Sequence, residues 1–128
     1  MSFHISKTVS LSFELAENRI REELKSIGFG ILTEINVTKT LKEKIDVDFR
    51  DYKILGACNP KFAFQALNVD DKIGVILPCS VVIQQHENGS VEVSIMNPTP
   101  FMELVKNEKV SAFALEIQKL LEGALSNL

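Results

Sequence analysis

Tryptophan is absent from this 128-residue chain, tyrosine occurs once and cysteine only twice, and each scarcity removes a class of protein. A chain of this length can bury a core by surface-to-volume scaling, so a disulfide scaffold is not needed and two free thiols are expected. No Cys or His pair has metal-ligand spacing such as CxxC or HxxxH. Gly28-Phe29-Gly30 lacks both the third glycine and the following helix of a phosphate loop, and no Gly-x-Ser-x-Gly elbow occurs. No apolar run approaches the roughly 20 residues that span a bilayer. The opening residues Met1 to Lys7 lack a charged-then-apolar leader pattern, so a soluble, cytoplasmic protein with no membrane partner is expected. Lys and Arg number 14 against 17 Asp and Glu, for a formal charge of -3, and the cations are scattered; no nucleic-acid partner is expected.

What remains is an ordinary globular composition, 45% hydrophobic and 24% charged with eight Phe, that fits one domain over residues 1–128. Val9, Leu11 and Phe13 alternate with Ser10, Ser12 and Glu14, which predicts a first strand over Thr8 to Glu14. Ala16, Ile20, Leu24 and Ile27 predict an amphipathic helix that Gly28 stops. Ile31 to Val37 restores the strand period, and Thr40-Leu41-Lys42-Glu43 has the spacing of a capping box opening a short helix. Tyr52 to Cys58 is the third strand, with Asn59 as cap and Pro60 at the first helical position of the next helix.

Ile73 to Gln85 reads as a long strand broken at Pro78, where the missing N–H marks a bulge, edge or bend. Asn88-Gly89 joins it to Val91–Ile95 as a hairpin. Asn97 to Pro100 caps a short helical turn, and Val110, Phe113, Ala114, Ile117, Leu121 and Ala124 give a last helix that covers the sheet. The strands alternate apolar with polar, unlike those of a doubly wound parallel sheet. The fold class expected is therefore α+β, a two-layer sandwich with a mostly antiparallel sheet of about five strands and helices on one face. Two such sheet faces could meet in a homodimer.

The chemistry narrows to Cys58, Asn59, Pro60, Lys61, Pro78 and Cys79. Cys58 closes a strand immediately before a capped helix, where free N–H groups and the helix dipole stabilise a thiolate; the competing reading is a small buried hydrophobe. Cys79 follows Pro78, and a bulge there would aim it out of the pleat; it too reads equally as core. If the two strands are neighbours, the sulfurs could approach for a disulfide or a shared metal. His86 lies too far along the strand from Cys79 to complete such a site, and His4 reads as part of a loose terminus. Asp70 and Asp71, beside Lys72, read as solvated.

The segments Ile54-Leu55-Gly56-Ala57-Cys58-Asn59-Pro60-Lys61 and Leu77-Pro78-Cys79-Ser80-Val81-Val82-Ile83, with the Asn88-Gly89 turn, resemble the domain-of-unknown-function 302 family over most of the chain. The resemblance implies a TATA-binding-protein-like α+β topology and a homodimer, and supplies no catalytic residue or cofactor. Gln85-His86 stands where a Tyr-Glu pair belongs to the family pattern. Two functional readings follow. One is a homodimeric small-ligand or metal-ion binding module, with an anion held by the N–H groups of the Pro60 helix. The other is a thiol redox protein in which Cys58 attacks and Cys79 resolves.

Overall fold

The computed structural model describes residues 2–128 as one five-stranded antiparallel sheet in the order β1-β5-β4-β3-β2. The strands are β1 (His4–Val9), β2 (Gly30–Asn36), β3 (Tyr52–Cys58), β4 (Cys79–Gln85) and β5 (Val91–Met96). The helices are α1 (Phe13–Ser26), α2 (Val37–Ile45), α3 (Pro60–Val69), α4 (Pro98–Met102) and α5 (Glu108–Ser126). The α+β expectation thus holds, as does the hairpin: His86 N–H donates to Ser90 O at 2.8 Å and Gly89 adopts φ 88° at the turn.

The two-residue period sorts the sheet into an inner and an outer face. Leu55, Val81, Ile83, Val93 and Ile95 are all inaccessible and pack under α1 and α5 through Ile20, Leu24, Ile117 and Leu121. Each such side chain contributes about 1.5–3 kcal/mol of transfer free energy. Asparagine caps four of the five helices: Asn36, Asn59, Asn97 and Asn107 each accept first-turn N–H groups, and Ser12 does so for α1. Lys7 anchors the chain end by donating to Ser126 O at 3.0 Å and Leu128 O at 2.7 Å, the favourable place for a cation at a helix C-terminus.

Several boundaries differ from expectation. The first strand is His4–Val9, so His4 pairs with Met96 instead of lying in a loose terminus. Ser12 accepts from Leu15 N–H and starts α1, which turns the Leu11–Phe13 alternation into a helix entry whose side chains still pack on the core. The capping box is not used; α2 begins at Val37 because Asn36 accepts from Lys39 N–H at 3.0 Å. Residues Ile73–Ile76 form a 3-10 turn and β4 starts only at Cys79. The irregularity in the sheet falls between Ile31 and Thr33 of β2, not at Pro78.

Four charges tie α1 to β2 and β3. Lys53 Nζ lies 2.8 Å from Glu17 and 2.9 Å from Glu34, while Arg21 lies 2.8 Å and 2.9 Å from the same two carboxylates. The Glu17 hydrogen bond raises the Lys53 pKa above its ordinary value. Every charge in this ring faces two of opposite sign, so the ring links α1 to β2 and β3.

Gly56 sits where the chain has no room for a side chain. A methyl there would collide with Thr33 Oγ1 and approach Pro78 Cγ to 2.8 Å. Gly56→Ala is expected to destabilise the protein by about 1–3 kcal/mol, whereas Gly30→Ala, with open space around it, should stay within about 0.5 kcal/mol. Denaturant unfolding midpoints check both, and equal midpoints for the two variants would contradict the steric account.

Candidate functional site

The core is split. One buried cluster lies between the sheet and α1 and α5; the other gathers Ala66, Ile73, Met102, Val110 and Ala114 under α3 and α4. Where the two meet, a partly open cavity of about 30 Å³ lies beside the end of β3 and the start of β4. Ala57, Cys58, Asn59 and Cys79 form its sheet end, and Phe62 and Phe113 form an aromatic wall with ring centroids 6.4 Å apart. The lining is almost wholly apolar.

Local sequence explains this placement. The β3–β4 register sets Ala57 opposite Cys79, two small side chains at adjacent strand ends, which leaves volume that a Leu or Ile would fill. Gly56 carries no side chain, so the Pro78 ring seats against it; Leu77–Pro78 is a cis peptide. Gly28, at φ 89° past the end of α1, lies so close to Asn59 that a methyl there would meet its amide nitrogen at 3.0 Å.

Of the six residues singled out from sequence, Cys58, Asn59 and Cys79 line the cavity. Pro60 and Lys61 are exposed, and Pro78 packs on Gly56, outside the lining. The two thiols are not a pair. Both are free, and the partner of Cys79 is Ala57 while Cys58 faces Gly30 across the other strand edge. Phe29, Phe62, Met102, Val110, Phe113 and Ile117 complete the wall; as plain apolar residues they carried no signal separating them from core.

Two expectations about the chemistry are reversed. Pro60 has no N–H, Lys61 and Phe62 N–H donate to Asn59 Oδ1 at 3.2 and 3.4 Å, and Ala63 N–H donates to Asn59 O at 2.9 Å. The first turn of α3 therefore has no amide left for an anion or a thiolate. Burial correspondingly raises the Cys58 pKa above its ordinary value. It pushes Cys79 from 9.0 up to about 11, with the Cys58 charge a second cause. Among the described residues no three His, Cys, Asp or Glu gather where they could hold a metal ion. His86 pairs with Glu92 at 3.0 Å on the hairpin, and Asp71 pairs with Lys72 in an exposed turn.

A helix-covered antiparallel sheet with its other face open, enclosing a small seam cavity, defines a two-layer α+β domain. The chain belongs to the family described as domain of unknown function DUF302, whose profile matches residues 5–128. It is similar to an uncharacterized conserved DUF302 protein from Bacillus stearothermophilus known from a crystal structure, with 34% identity, 98% of each chain covered and a TM-score of 0.90. No curated protein matches it. No helix among the described residues is long and apolar enough to cross a membrane.

A thiol with a raised folded-state pKa stabilises the fold below its unfolded pKa and loses that contribution as pH climbs through the folded value. Stability is therefore expected to fall between pH 9.0 and about 11, by on the order of 2 kcal/mol, and Cys79→Ala should flatten that decline. Unfolding midpoints measured across this window check it. At neutral pH neither thiol should react with a thiol reagent faster than free cysteine; a faster Cys58 would contradict the burial account.

Proposed function

We propose that this domain is a homodimeric binding module for a small ligand, held in the seam cavity at Cys58, Asn59 and Cys79. One observation carries the reading: the partly open apolar cavity coincides with the junction of β3, α3 and β4, the segments that also carry the chain's most distinctive motifs. Concave, largely apolar sites with a few polar groups are the usual form of small-molecule sites. A metal-ion version has only two sulfurs as soft donors, and a structural zinc takes four ligands. The redox version lacks an activated thiol, since both pKa values rise. These points favour a molecule over an ion or an electron pair.

The dimer reading draws on the outer sheet face, which no helix covers. Tyr52, Ile54, Val82, Met96 and Ile35 lie on it, alternating in register with Ser6, Ser80 and Ser94. A trough of about 490 Å³ crosses it, rimmed by Phe3, Tyr52 and Phe101. The trough carries a single carboxylate, Glu92, which already faces His86, so two copies of a chain of charge -3 can meet there with little like-charge repulsion. Depletion of charge at the centre and enrichment in aromatics and Met are the marks of protein interfaces.

A fragment screen spanning acidic, basic and neutral compounds, mapped by methyl NMR, should place its hits at Ala66, Ala114, Ile117 and Met102; hits confined elsewhere would end the binding reading. Sedimentation equilibrium should give twice 14.3 kDa for the native chain and a monomer for Val82→Glu. A native chain that sediments as a monomer would remove the dimer.

A further inference from the structure

We infer that the seam cavity accepts a compact, uncharged, apolar molecule, admitted by outward movement of α3; this rests on the cavity being a binding site. The lining offers a ligand no charge, and its only side-chain donors are the two thiols and Asn59 Nδ2. Its walls are Phe, Ala, Leu, Met, Val and Ile side chains, Pro98 and two thiols, and its one amide side chain, Asn59, has its Oδ1 committed to capping α3. Lys61, the nearest cation in sequence, is exposed and outside the lining. An anion entering here would lose its hydration with no positive charge in exchange, a cost of several kcal/mol. An apolar molecule avoids that cost and gains dispersion contacts with the apolar walls.

The resting volume of about 30 Å³ is well below the about 150 Å³ in which an apolar cavity holds benzene. Entry therefore needs one wall to move, and the walls are unequal. Six residues of α5 are buried, including Val110, Ala114, Ile117 and Leu121. In α3 only Ala66 is buried, while Phe64 is 68% exposed and Leu67 41%. An element with few buried contacts opens at lower free energy than its neighbours. Phe62, partly buried and facing Phe113, travels with α3, so its displacement widens the cavity along the aromatic wall.

The test uses the full chain, methyl-labelled, with four probes: xenon, benzene, inorganic phosphate and zinc ion. Xenon and benzene are expected to shift Ala66, Ala114 and Ile117 methyls saturably while phosphate and zinc leave them unmoved. If phosphate or zinc shifts them saturably and the apolar probes do not, the ligand class is overturned and the site reading stands. If none of the four does, the site reading itself falls and this inference with it. Ala66→Leu fills the cavity from α3 and Ala114→Leu from α5; each folded variant should bind benzene at least about tenfold more weakly, and unchanged binding in both overturns the assignment. Hydrogen exchange tests the moving wall: α3 amides should exchange well before those of α5, and equal protection would remove α3 as the gate.

Discussion

The close approach over Gly56 is the constraint on which the arrangement of the site rests. Thr33 from β2 and Pro78 from the segment before β4 both occupy the space that a side chain at position 56 would take. Because that space is free, Pro78 packs on Gly56, β4 begins at Cys79, and the antiparallel register puts Cys79 against Ala57. Two small residues then face the interior where the strands end, and the helices cannot close the remaining gap. The cavity is the consequence of this register, as much as of the residues around it.

The same desolvation that makes the cavity hospitable to apolar matter makes it poor for ionic chemistry. A buried thiol holds its proton, and a capped helix end keeps its amides. The asparagine at position 59 is central here: it satisfies the first turn of α3 and fixes the entry of the chain beside Gly28. Burial keeps Cys58 protonated, and Asn59 keeps the first-turn amides of α3 occupied.

Much of the architecture was legible because the signals were local. Asn88-Gly89 between alternating runs, the Ala16–Ile20–Leu24 spacing, Asn59-Pro60 and the apolar face of α5 each depend on residues within a few positions of one another, and the structure carries all four. The misplacements arose where two local codes overlapped. Val9, Leu11 and Phe13 satisfy a strand period, yet Ser12 is also a cap, and once β1 is paired with β5 the cap prevails. Likewise Asn36 competes with Thr40 for the start of α2, and Asn36 prevails, its side chain accepting from Lys39 N–H.

Composition and periodicity by themselves determined the class of fold, the number and kind of most elements, and the two segments around Cys58 and Cys79 as the places to look, since each follows from burial pattern and capping chemistry within a short stretch of chain. Only the tertiary structure decided that these cysteines stand on one cavity wall without pairing, that Pro60, Lys61 and Pro78 lie off it, and that Phe62, Met102 and Phe113 belong to it. The physical reason is that apolar residues are interchangeable as sequence and distinct only in space: whether a phenylalanine fills a core or borders a void depends on strand register and helix docking, which residues far apart in the chain settle together.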